Sequence, residues 1–312
     1  MAEAKTLSQY EAASSKRLKV SVLIILIIIP AAIAAAYFIP WDGMYMLVSV
    51  FILVAVMAPF FMVFERRRPK ARELMLIVVM SAMTVAVHSL FHIIFPIQIG
   101  TAMVIISGIA LGPEAGFLIG ALSRLICNFY MGQGPWTPWQ MFAWGLLGFL
   151  AGFIFDKGSE VSVRARSFKM VAGPFAAVVF SLILGYILFL LFPGNDDTFL
   201  GWRVYAFGCI GLIAGLILQK KRLPSDDLTM SVITFFMTVI VYGGIMNLST
   251  VVNSTNMAGG SKISIEGLKL LYISGLPMDL IHGITAAVCV FILGSSIISK
   301  LDRIKIKYGI YR

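Results

Sequence analysis

Residues 65–95 read ERRRPKARELMLIVVMSAMTVAVHSLFHIIF. A cluster of Arg66, Arg67, Arg68, Lys70 and Arg72 gives way to an apolar run from Leu74 to Phe95. A helix needs about 20 such residues to cross the hydrocarbon of a bilayer, so this stretch reads as a basic loop followed by a span. The same grammar recurs along the chain. Apolar runs cover Val20–Ile39, Gly43–Phe64, Leu74–Phe95, Ile97–Leu111, Ala115–Tyr130, Trp139–Phe155, Met170–Phe192, Arg203–Leu218, Leu228–Val252 and Gly275–Ile298. Hydrophobic residues make up 59% of the 312 and charged residues only 13%, well outside the balance of a soluble domain. The fold expected is an all-α integral membrane protein, a polytopic helical bundle of about ten transmembrane helices.

Charge orients it. Of the 25 lysines and arginines, all but Arg124, Arg203, Lys262 and Lys269 fall in the N-terminal tail, in the loops after the second, sixth and eighth runs, or in the C-terminal tail. With ten spans these segments share one side, and the positive-inside rule makes that side cytoplasmic. The expected location is the plasma membrane, multi-pass, with both termini inside. The net charge of +10 is therefore topology, not a nucleic-acid surface. The opposite loops hold Asp42, Asp196, Asp197 and Glu266, together with Trp41, Trp136, Trp139 and Trp202; indoles favour the membrane–water boundary. The turn Gly112-Pro113-Glu114 should be cytoplasmic although it carries no basic residue. The first run has no small-x-small cleavage site beside a polar segment and reads as a retained span.

Three central runs are short, about 15 to 17 residues against the 20 or so of a straight crossing. Their glycines, at 108, 112, 116, 120, 145, 148 and 152, let helix backbones approach closely. Cys127, Cys209 and Cys289 lie singly in apolar runs, which fits neither a disulfide framework nor a zinc site. No GxxxxGK[ST], GxSxG or kinase motif is present. No cofactor or metal is expected, and any ATP hydrolysis belongs to other chains.

Charge inside hydrocarbon costs about 2.5–3.5 kcal/mol per residue on insertion scales, so the intramembrane polar residues are functional candidates. His88 and His92 share a helix face near the outer end of the third run. Arg124, in the fifth run, and Asp279, in the last, lie at similar depth; a structural Arg124–Asp279 ion pair would relieve both, and either could instead face a ligand. His282 follows Asp279. The outer segment Asn128-Phe129-Tyr130-Met131-Gly132-Gln133-Gly134-Pro135-Trp136-Thr137-Pro138-Trp139-Gln140 mixes aromatic faces, amides and backbone-fixing Gly and Pro. That mixture suits a pocket for an organic ring system; the plainer reading is a re-entrant turn with interfacial anchors. The substrate-binding residues expected are Asn128, Tyr130, Gln133, Trp136, Thr137, Trp139, Gln140, His92, Gln98, Asp279 and His282.

The segments Gly112–Leu122, Asn128-Phe129, Gly132–Met141 and Gly275-Leu276-Pro277-Met278-Asp279-Leu280-Ile281-His282-Gly283 resemble the substrate-specific (S) components of energy-coupling factor (ECF) vitamin transporters. Ala82 and Ala86 look like that family's small-residue motif on its first core helix. The resemblance covers Leu74–Phe155 and Gly275–Ile298. It implies a non-catalytic subunit that captures a vitamin from outside and topples in the membrane when docked on a transmembrane coupling subunit with two ATPases. Ala82 and Ala86 would form the coupling face, and Phe95–Gly100 a gate. The Gly132–Gln140 variant suggests a corrinoid. The family core has six helices, so residues 1–72 read as an added tail and helix pair, residues 73–312 as the S-component-like domain, and 170–219 as inserted helices. Two other functions stay open. An ion-coupled secondary transporter would use Asp279 as its titratable carboxylate. A membrane-embedded metal-dependent enzyme would use His88, His92, Asp279 and His282. Besides the solute and the ECF subunits, lipid is the remaining expected partner.

Overall fold

The computed structural model describes residues 19–31, 71–92, 97–155, 167–192, 198–218, 223, 225–256 and 265–308, with a few positions between 47 and 55. The run Gly43–Phe64, most of the basic loops, and Phe95 and Pro96 of the expected gate therefore lie outside the described residues, as do Asp196 and Asp197. The described helices are α1 (Lys19–Ala31), α2 (Ala71–His92), α3 (Ile99–Leu111), α4 (Pro113–Met131), α5 (Thr137–Ile154), α6 (Ser167–Leu191), α7 (Trp202–Leu218), α8 and α9 (Ile265–Tyr308). Helix α8 is built from Asp227–Phe236, a π-helical stretch Met237–Gly243 and Gly244–Asn256.

The protein is a helical membrane protein. Among the described residues four helices are long and apolar enough to cross a bilayer by length and composition: Ala71–Phe91, Pro174–Leu191, Asp227–Val251 and Lys269–Tyr308. Lys19–Ala31, Ile99–Leu111 and Trp202–Leu218 are apolar but shorter. These helices alone do not make up the ten crossings expected from the sequence. The shortfall has a physical reason at α3, whose residues Gly100–Leu111 are all buried. A helix surrounded by protein need not match the thickness of lipid. At the other extreme α9 has 44 residues, about 66 Å at 1.5 Å per residue, roughly twice a bilayer core.

The centre is α3, α4 and α5, drawn together by glycine. A Cβ on Gly108 would lie 2.1 Å from the carbonyl oxygen of Gly148, and one on Gly116 would lie 2.4 Å from the same oxygen. Gly120 meets the backbone of Trp144, and Gly152 that of Gly112. The glycine series at 108, 112, 116 and 120 is thus shared between two helices that converge on α5. The break falls at Gly112, whose φ of 100° favours glycine. Pro113 then starts α4 where its missing N–H costs nothing.

Chain ends of the helices meet in a consistent pattern. Ser21 of α1 donates to the Glu114 carboxylate at 2.7 Å. Arg72 donates to the Tyr308 carbonyl at 3.1 Å, and the Lys305 ammonium to the Ala110 carbonyl at 2.6 Å. The latter contact places a cation at the C-terminus of α3, where the helix dipole favours it. Leu223 N–H donates to the Ile154 carbonyl at 2.9 Å. So the starts of α1, α2, α4 and α8 and the ends of α3, α5 and α9 lie together, at what we term the Arg72 end. Helices α6 and α7 pack on one another, with Ser181 bonded to the Phe207 carbonyl, and α7 packs on the π-helical stretch of α8 and on α9.

Candidate functional site

At the opposite end, the Trp136 end, polar side chains from seven helices form a layer. Arg124 of α4 sits at its centre. Its Nε donates to Gln140 Oε1 at 3.0 Å, its Nη1 lies 3.1 Å from His88 Nε2, and its guanidinium stands 5.2 Å from the Trp144 ring centroid. His88 packs edge-on against Trp144 at 5.0 Å. Gly100 at the start of α3 makes room for it: a Cβ there would lie 2.8 Å from the imidazole. Next along α3, Thr101 Oγ1 lies 2.9 Å from His282 Nε2, and His282 packs against Tyr242 at 4.6 Å.

The loop between α4 and α5 closes on itself. Asn128 Nδ2 donates to Gln140 Oε1 at 2.8 Å and to Thr137 Oγ1 at 3.2 Å. Thr137 also takes the Gly134 N–H at 3.1 Å and donates to Gln133 Oε1 at 2.9 Å. Gly132, with φ of 109°, ends α4, and Pro138 sits in the first turn of α5. The side chain of Trp136 lies against Gly134, where a Cβ would come within 2.5 Å of its ring. The amides expected to receive a ligand thus first serve to hold the loop. Besides the hydroxyls of Ser81, Thr234 and Thr238, one amide and one indole donor, Gln133 Nε2 and Trp144 Nε1, are buried with no hydrogen-bond partner among the described residues. Buried donors are paired in nearly all structures, so these two bear on what the layer accepts.

The expected direct pairing of Arg124 with Asp279 is not formed. Asp279 accepts the Tyr205 hydroxyl at 2.5 Å and Asn247 Nδ2 at 2.8 Å. Its carboxyl rests against Gly243, where a Cβ would lie 2.6 Å from it, at the end of the π-helical stretch. Both residues do occupy the same polar layer, but each is solvated by neutral groups from its own neighbours. Burying two ions next to each other gains little when their remaining hydrogen-bond positions go unfilled.

Of the expected binding residues, Asn128, Thr137, Asp279 and His282 are buried, while Gln133, Trp139, Gln140 and Gln98 are half-buried. Trp136 is 39% exposed, and the exposed Tyr130 is hydrogen-bonded to Ser89. Gln98 stands at the N-cap of α3. The His92 side chain lies outside the described residues. Ala82 and Ala86 are both exposed on α2. Thr101, Trp144, Tyr205, Tyr242 and Asn247 join the layer without having been singled out. A signal existed for Trp144, the one tryptophan far from any boundary, but Thr101 and Tyr242 look ordinary in an apolar run.

Residues 69–196 match the family model of the ECF-type riboflavin transporter S component. The resemblance to S components is thereby supported over that stretch, which runs from the start of α2 past α6 and contains the loop of Gly132–Gln140. It covers less than half of the chain and ends before Gly275–Gly283. The description names riboflavin, so it lends nothing to a corrinoid. No solved structure matches the chain.

Proposed function

We propose that this protein is the substrate-binding membrane subunit of an ATP-driven ECF importer, and that it captures a flat, acceptor-rich vitamin of the riboflavin type from outside. The observation that carries the reading is the family match, because it spans the loop and four of the helices that build the polar layer. Of the unused buried donors, Gln133 Nε2 and Trp144 Nε1 suit a ring system bearing carbonyl acceptors. Trp136, Trp139 and Tyr130 supply stacking faces close by. Binding residues in this reading are those of the layer, with His282 and Asp279 at its far side. Catalysis is not part of the role; ATP hydrolysis falls to two partner subunits, and a transmembrane coupling subunit joins them. The exposed pair Ala82 and Ala86 would be its contact, since close helix approach needs small side chains.

Ten crossings with both termini in the cytoplasm fit this role. Between successive contacts at the Arg72 end the chain leaves and returns once, through α2 and α3, α4 and α5, α6 and α7, and α8 and α9. Ser21 and Arg72 at that same end leave room for a further out-and-back before α2. The basic loops flank that end in sequence, which makes it cytoplasmic under the positive-inside rule.

The test is titration of the purified protein with riboflavin, followed by quenching of flavin fluorescence. Saturable binding is expected, and Trp136→Ala should weaken it about tenfold, or 1.4 kcal/mol, at unchanged thermal stability. A folded wild-type protein that leaves flavin fluorescence untouched would defeat the riboflavin assignment.

A further inference from the structure

An open cavity of about 490 Å³ lies outside the matched stretch, between α7, α8 and α9. That size lies within the range of small-molecule sites. Its wall is aromatic and aliphatic: Trp202, Tyr205, Tyr272, Ile240, Ile245 and Leu248. Tyr205 and Tyr272 meet edge to face at 5.0 Å. Directly behind this wall is Asp279. Tyr205 lines the cavity and donates its hydroxyl to the Asp279 carboxyl; Gly244 lines the cavity while its neighbour Gly243 touches that carboxyl. The hydrogen-bond partners of Asp279, Tyr205 and Asn247, are neutral.

We propose that this cavity is a second ligand site, one for a lipophilic organic cation. Two independent features point there. Aromatic faces attract a cation through their quadrupole. A phenol that donates to a carboxylate is the better face for it, because the hydrogen bond pushes electron density into the ring. The buried carboxyl then supplies the counter-charge that neither Tyr205 nor Asn247 can. A carboxyl placed within a membrane is expensive and ordinarily marks a pathway or a ligand. Arg203 does not line the cavity; its guanidinium is held between the rings of Phe189 and Trp202, at 5.0 and 5.1 Å.

The site shares Tyr205 and Asp279 with the layer proposed above but has its own lining, and it is tested with a probe other than riboflavin. Purified protein is titrated with tetraphenylphosphonium and, in parallel, with tetraphenylborate, an anion of the same shape. The cation should bind saturably and the anion should not; equal binding of both would reduce the cavity to an apolar hole and overturn the proposal. Asp279→Asn should weaken the cation roughly tenfold. Should that variant misfold, Gly244→Leu serves instead. A Cβ at Gly244 meets Tyr205 at an ordinary 3.5 Å, and because Gly244 lines the cavity a larger side chain there takes up its space. It should abolish binding of the cation and leave riboflavin binding as in the wild type. Retained cation affinity in folded Gly244→Leu would place the cation elsewhere and sink the assignment.

Discussion

Arg124 illustrates how a charge is made tolerable inside a membrane protein without an ion of opposite sign. Its donors go to Gln140 and His88, and its flat face goes to Trp144. Hydrogen bonds to charged groups contribute about 1.5–3 kcal/mol each, and a desolvated cation–π contact adds up to about 2. Arg124→Gln should therefore destabilise the protein by roughly 2–4 kcal/mol, read as a drop in thermal stability in detergent. A double-mutant cycle separates its partners. Arg124→Gln with His88→Ala should be non-additive by more than about 0.5 kcal/mol, while Arg124→Gln with Asp279→Asn should add within that margin. Strong coupling between Arg124 and Asp279 would mean that the two touch after all.

Helices α2 and α5 carry small residues in opposite settings, exposed on one and buried on the other, and one experiment distinguishes them. Gly148 is buried against the backbones of Gly108 and Gly116, so Gly148→Val must force three helices apart. Its cost should reach or exceed the roughly 3 kcal/mol upper end of ordinary overpacking, seen as lost expression. Ala82 and Ala86 are exposed, so among the described residues nothing opposes a larger side chain there. Ala82→Trp with Ala86→Trp should change stability by only about 0.5 kcal/mol and spare flavin binding. Uptake in cells, which on the proposed reading needs close approach of a coupling subunit, should be lost. Full uptake by a folded double variant would remove α2 from the coupling face.

The whole molecule turns on which helix ends lie together. Arg72, Ala110, Glu114, Ile154 and Lys305 gather at one end through backbone and side-chain contacts, whereas Trp136 and Asp279 lie toward the other. Single cysteines in a chain lacking Cys127, Cys209 and Cys289 report this directly. With a membrane-impermeant maleimide, Thr198→Cys should react in intact cells, and Arg72→Cys and Lys305→Cys only in inverted vesicles. Labelling of all three from the same face would break the alternation on which the topology rests.

Hydropathy and charge in the sequence settled that the chain is a helical membrane protein, because a stretch of some 20 apolar residues has few other stable fates and loops of lysine and arginine punctuate it. They also located eight runs that overlap α2 to α9, since glycine, proline or charge lies at or near most run ends, although α9 extends well beyond its run into charged sequence at both ends. The Gly132–Gln140 loop was legible for a similar reason: Gly, Pro, Trp and amides are conspicuous against an aliphatic background. Partners were not legible. Arg124 and Asp279 have matching depths along their helices, but depth is one coordinate, and rotation about each helix axis decides which neighbour a side chain meets. That rotation comes from packing: from glycines that admit His88, Asp279 and Asn247 at positions 100, 243 and 275, and from the π-helical stretch that shifts the register of α8. Only the folded bundle could therefore give Arg124 to His88 and Gln140, give Asp279 to Tyr205 and Asn247, and leave an aromatic cavity beside the latter.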